Sequence, residues 1–275
     1  MGSSRTVFET DSICVESPSW GGDRVGVVWL NRGSKLNTLG TWVLEDIIRV
    51  FSFLQNEWFA KGTLKVVIIL AKGRMFSAGA DLKEEPKRFK PFETATEKAD
   101  YFRKWRYDLQ LGRRAMQAIE ELEAVTICGV HGHVMGGAWC ISLCCDYTVA
   151  TEDCIFQMPE IDIQLPLTWG CTPRVIRQFG TMKAKEIIML GERFTGKELY
   201  DLGGINKLVN SKEALTEATK TIAKRFVAKD PVALHMVKTQ FRALARAHSL
   251  GDTTESDGDL LFLPAVLKHY QRSTL

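Results

Sequence analysis

Val130-His131-Gly132-His133-Val134-Met135-Gly136-Gly137-Ala138-Trp139-Cys140, continuing as Ile141-Ser142-Leu143-Cys144-Cys145-Asp146-Tyr147-Thr148-Val149-Ala150, is the stretch on which the reading of this chain turns. An apolar run from Val125 leads into it and is short enough for a buried strand. Beyond the two adjacent glycines, Trp139 and Leu143 fall at helical spacing. The stretch therefore reads as strand, glycine pair, helix. Glycine lets a ligand approach the backbone closely, and the first N–H groups of a helix have no partner within it. Such a junction suits a phosphate, or an oxyanion that develops during a reaction. A tight turn that only relieves crowding is the simpler alternative.

Working outward, Gly73-Arg74-Met75-Phe76-Ser77-Ala78-Gly79-Ala80-Asp81-Leu82-Lys83 follows a second buried-strand candidate at residues 65–70. Small residues again sit just past a strand, where a backbone N–H can face a ligand. Together, Phe76-Ser77-Ala78-Gly79-Ala80-Asp81-Leu82 and the later Gly136-Gly137 resemble the enoyl-CoA hydratase/isomerase (crotonase) family. Asn31-Arg32 and Lys35-Leu36-Asn37-Thr38-Leu39 resemble its first motif, and Met158-Pro159-Glu160 its catalytic-acid motif. Gly191-Glu192-Arg193-Phe194-Thr195-Gly196 and Gly204-Ile205-Asn206-Lys207-Leu208-Val209 resemble its later landmark. The ordered motifs span residues 13–244.

Composition agrees with a folded chain. The chain has 275 residues with 45% hydrophobic content, enough for a packed core in one large domain. Charged residues make up 25%, which argues against global disorder. A net charge of +3 gives little electrostatic case for nucleic acid and suits an anionic small ligand. No apolar run approaches the roughly 18 residues of a membrane span. The seven cysteines sit mainly in apolar surroundings without a CxxC pair. Cys140, Cys144 and Cys145 match no common zinc spacing. The cysteines read as buried free thiols, which implies an intracellular, reducing compartment. The cytoplasm is favoured, with a mitochondrion or peroxisome-like organelle left open.

Residues 1–12 read as a flexible arm, and residues 13–16 and 24–30 as paired strands. Thr41 is expected to cap a helix whose Leu44, Ile47, Ile48, Phe51 and Leu54 form one apolar stripe. Residues 83–108 mix many basic and acidic side chains. They read as a charged excursion that becomes helical: either a solvated face, or a lid with Tyr101, Phe102, Trp105 and Tyr107 as apolar walls. A helix is expected from Leu111 to Glu123. Pro166, Gly170 and Pro173 predict irregular chain over 162–174, with a helix from Lys183 to Leu190. Thr195 and Glu198 fit a capping box. Asp230-Pro231 reads as a cap followed by proline at the first helical position.

The resemblance implies an α/β (α+β) fold: a crotonase-type ββα spiral over 13–205, with a helical trimerisation region over 206–275. It implies an acyl-CoA thioester as partner in fatty-acid metabolism, a homotrimer or dimer of trimers, and no metal or separate cofactor, coenzyme A being part of the substrate. The N–H groups of Ala80 and Gly137 would hold the thioester oxygen as it becomes an enolate. Glu160 would move the proton. Lys35, Ala78, Gly79, Asp81, Leu82, Gly136, Pro159 and Thr168 would join Ala80 and Gly137 in binding the thioester and its nucleotide.

A hydratase of this family carries a second glutamate three residues after the oxyanion-hole glycine, and here that position is Cys140. Cys140 reads as packed and non-catalytic. His131 and His133 read as packed or solvated. Dienoyl-CoA isomerases use further acids, and Thr168 stands at one of those positions. Asp162 lies on the same side as Glu160 by strand alternation and is a candidate second acid. Isomerisation of 3-enoyl-CoA to 2-enoyl-CoA is therefore favoured. A hydratase with an atypical water site, and a slow binding protein on the same scaffold, including an RNA-binding one, are the alternatives.

Overall fold

The computed structural model describes residues 4–83 and 94–247. The strands and helices run β1 (Ser4–Glu9), β2 (Ile13–Pro18), β3 (Val25–Leu30), α1 (Thr41–Phe53), β4 (Val66–Ala71), α2 (Ala95–Leu109), α3 (Leu111–Glu121), β5 (Val125–Val130) and β6 (His133–Met135). They continue through α4 (Gly137–Leu143), β7 (Tyr147–Thr151), β8 (Ile155–Gln157), α5 (Cys171–Met189), β9 (Arg193–Thr195), α6 (Gly196–Asp201), β10 (Lys207–Val209), α7 (Lys212–Val227) and α8 (Pro231–Ala247).

Seven strands form the main sheet in the order β1-β2-β3-β4-β5-β7-β10. The first two pairings are antiparallel, and those from β3 to β10 are parallel. Parallel strands are buried on both faces, which is why β4 reads as a continuous apolar run. Its side chains alternate between two cores. Val67, Ile69 and Ala71 join α1 and α3, whereas Val66, Ile68 and Leu70 join Leu215, Ala218 and Ile222 of α7. A second sheet, β6-β8-β9, stands apart from the first. The result is the α/β fold class expected from the sequence.

Several local expectations hold. Leu44, Ile47, Phe51 and Leu54 are buried, with Ile48 packed beside them. The capping box of Thr195 and Glu198 is formed. Asp230 accepts a hydrogen bond from the Ala233 N–H at 2.8 Å, as an N-cap before Pro231 should.

Others are corrected. Thr41 is the first helical residue, and Gly40 is the cap. The arm expected to be flexible over 1–12 contains β1, because an antiparallel partner and a Phe8–Phe53 stack at 4.8 Å fix it. The boundary expected at 205 falls inside the sheet, since β10 pairs with β7 and α7 covers the sheet. The helix expected over Lys183–Leu190 is present as the second part of α5, beyond a break at Gly180 (φ 75°, ψ 163°), but the chain expected to be irregular to residue 174 already turns helical at Cys171, where the first part of α5 begins. Pro173 lies in its first turn, where the missing N–H has no intrahelical partner to lose. Residues 84–93 and 248–275, parts of the expected lid and C-terminal region, lie outside the described residues.

Candidate active site

The second sheet explains how three distant sequence segments meet. β6 and β8 run parallel, with Met135 opposite Gln157. The residues that follow them, Gly136-Gly137 and Pro159-Glu160, therefore emerge side by side. The Gly136 N–H donates to Gln157 O at 2.8 Å and closes the junction. The third segment joins through an isolated bridge between Ser77 and Val134, in which Met135 N donates to Ser77 O at 3.2 Å. A further bridge, Leu39 with Ala80, extends this segment. The strand that introduces the glycine pair is thus the three-residue β6, rather than the apolar run from Val125.

Asn37 fastens the segment from below. It is a buried non-glycine residue at φ 50, and its Nδ2 donates to Lys72 O (2.9 Å), Met75 O (3.3 Å) and Phe76 O (3.0 Å). Its own carbonyl accepts from Ser77 Oγ at 2.7 Å. Among the described residues, neither the Ala80 N–H nor the Gly137 N–H donates to another protein group.

Glu160 sits in the single helical turn Pro159–Ile163. Its Oε2 is buried and has no hydrogen-bond partner among the described residues. Burial pushes the Glu160 carboxyl up to about 7, only partly opposed by its own backbone N–H. The carboxylate lies against Gly136, whose φ of 50° and ψ of −118° suit glycine alone. A Cβ at Gly136 would overlap Glu160 Oε1.

These segments line a cavity of about 200 Å³. Ala78, Gly79, Ala80, Leu82, Gly136, Gly137, Pro159, Glu160 and Thr168 from the sequence reading all border it. Lys35 and Asp81 do not. Lys35 is exposed in a turn, and the Asp81 carboxylate accepts from Thr38 Oγ1 at 2.9 Å and from the Lys83 N–H at 3.1 Å. Asp162 is exposed and lies beside Gly191, outside the cavity. The irregular turn ends the strand alternation that predicted otherwise. No α2 side chain lines the cavity or is buried, and Tyr101, Phe102 and Trp105 cluster with one another. The described part of that region is a solvated face. His131 meets Gly73 O at 3.1 Å, and neither His131 nor His133 reaches the cavity.

Sequence reading missed the apolar wall: Met135, Ile163, Leu165, Pro166, Leu167, Trp169 and Cys171. The run Leu165-Pro166-Leu167, soon after a candidate acid in an irregular stretch, was the available signal. The reading of seven free thiols is also corrected. Cys140 and Cys171 form a disulfide, with Cα atoms 5.5 Å apart. Cys140 is fully buried, as expected for a packed residue, but it is not a free thiol. A separation of 31 residues gave no sign of the pairing, and the reducing-compartment reading loses that support. Thiol titration in denaturant is expected to find five reactive groups, rising to seven after reduction. Cys171→Ser is expected to lower unfolding free energy by about 3–4 kcal/mol, from the closed loop's length. Seven thiols without reductant would overturn the pairing.

Comparison with known proteins follows the geometry. Residues 21–265 match the family model for enoyl-CoA hydratase/isomerase. A probable mitochondrial enoyl-CoA hydratase from Dictyostelium discoideum is 30% identical over 220 residues, covering 80% of this chain and 73% of that protein. A peroxisomal Delta(3,5)-Delta(2,4)-dienoyl-CoA isomerase from Arabidopsis thaliana is 26% identical over 205 residues, covering 74% and 72%. An enoyl-CoA hydratase structure from Bacillus anthracis superposes with a TM-score of 0.72 at 25% identity, covering 94% of this chain and 92% of that one. One from Mycobacterium avium subsp. paratuberculosis shares the fold with a TM-score of 0.76 at 23% identity, covering 94% and 95%. With the family model spanning most of its length and the motif segments gathered around one cavity, the chain belongs to the enoyl-CoA hydratase/isomerase family.

Proposed function

We propose that the protein isomerises 3-enoyl-CoA to 2-enoyl-CoA, with Glu160 as the single acid/base. The observation that carries this reading is that Glu160 is the one carboxylate among the described residues lining the cavity. Glu160 takes a proton from the α carbon, and the electrons move into the thioester carbonyl as an enolate. The Ala80 and Gly137 N–H groups hold that oxygen. As the enolate collapses, Glu160 returns the proton to the γ carbon, so no water is consumed. Holding one water for addition across a double bond calls for a second polar group. The place where the family's hydratases carry it is occupied here by Cys140, bonded to Cys171.

A carboxyl near 7 suits both halves of this cycle, because it accepts and returns a proton at similar cost. Coenzyme A enters as part of the substrate. Assembly into a trimer or dimer of trimers fits Val232, Met236, Phe241 and Leu244 of α8, each more than half exposed.

The test compares two rates on one preparation: isomerisation of 3-hexenoyl-CoA and hydration of 2-hexenoyl-CoA. Isomerisation is expected to be at least tenfold faster. Its kcat/KM should rise with pH through about 7 and level off above, because only ionised Glu160 removes the first proton. Faster hydration would replace this reading with the hydratase one.

A further inference from the structure

Trp169 shapes the cavity more than any motif predicts. Its backbone φ is 59°, in the left-handed region that a bulky residue rarely adopts. The strain is held in place from both sides. Arg174 Nη1 donates to Gly170 O at 2.8 Å and to Trp169 O at 3.4 Å. Arg174 is buried and pairs with Glu120 of α3, which Arg177 also reaches at 2.8 Å. Two residues on, Cys171 is bonded to Cys140 of α4. The indole is thereby set into a slot between α3 and α4. A Cβ at Gly112 of α3 or at Gly137 of α4 would overlap the ring. Both helices therefore lack a side chain at the point where the indole lies.

The indole also borders the cavity beside Gly137 and Glu160, next to the apolar wall of Ile163, Leu165 and Leu167. On the acyl-CoA reading, which this inference rests on, the thioester carbonyl sits at Gly137 and its apolar chain follows that wall. We propose that Trp169 sets the upper limit on acyl-chain length by filling the slot between α3 and α4. The first carbons occupy the cavity, and later ones meet the ring. Removing the indole opens a void continuous with the cavity and lined by apolar atoms, the kind of space a longer chain fills.

Calorimetry with saturated hexanoyl-CoA and decanoyl-CoA tests this on the full chain, because neither probe has a double bond to move. The wild type is expected to bind hexanoyl-CoA at least tenfold more tightly than decanoyl-CoA. Trp169→Ala should erase or reverse that ratio, and Trp169→Phe should give an intermediate one. A thermal melt accompanies each variant, and the phenylalanine variant carries the test if the alanine variant does not fold. An unchanged ratio in a folded variant, or a wild type that prefers decanoyl-CoA, overturns the limit while leaving the acyl-CoA reading intact. Failure of the wild type to bind either thioester overturns the acyl-CoA reading itself.

Discussion

Glu160→Gln is expected to slow isomerisation of 3-hexenoyl-CoA about a thousandfold, because an amide can neither accept nor return the proton. Binding of a saturated acyl-CoA should change little, since the substitution is nearly isosteric. The same variant should be more stable at alkaline pH. The folded-state value of about 7 lies above that of an unfolded glutamate, so the native fold favours the protonated form. The cost of carrying the charge grows as pH rises from about 4 to 7 and is complete above that range. At pH 8 the glutamine variant should therefore gain roughly 3 kcal/mol, which disappears below about pH 4. Opposite movements of rate and stability would mark a group kept for chemistry at the expense of folding. Full activity in Glu160→Gln would remove it from the mechanism.

Gly136→Ala should cause the second large loss. Any L-residue is strained at φ 50°, ψ −118°, and the new methyl overlaps Glu160 Oε1. The carboxylate must move, so kcat is expected to fall at least a hundredfold. Strain should lower stability by about 1–3 kcal/mol. Gly203→Ala separates the two effects. Gly203 has φ 76° with open space where the methyl would point, so this substitution adds strain without touching Glu160. Equal loss of rate in both variants would show that backbone strain, not displacement of the acid, explains the first.

The parts of this site that were legible in the sequence are those dictated locally. Glycine and alanine had to stand where a backbone approaches a ligand, and proline before Glu160 marked the end of a strand. The continuous apolar run of β4 and the capping residues of α6 and α8 likewise follow from the geometry of one element. What escaped depends on contacts across the chain. The disulfide needs α4 to face the start of α5, which no spacing rule encodes. Trp169 matched no motif, and its importance comes from two glycines 57 and 32 residues earlier. Proline at 173 was read as a breaker because its position within the first turn was not visible. Asp162 was placed by strand alternation, which the helical turn at Pro159–Ile163 interrupts.

The order of the main sheet also bears on how the protein is made. Its strands lie across the sheet in the order in which they occur along the chain, from β1 to β10. Each strand leaving the ribosome finds its predecessor as the free edge, and no later strand has to insert between two already paired. Assembly can thus keep pace with synthesis, which proceeds at about 5–20 residues per second. Gly137, Glu160 and Trp169 all follow the first five strands, β1 to β5, along the chain. The cavity is therefore completed only after its first wall, Ala78 to Leu82, and all five of those strands have been made.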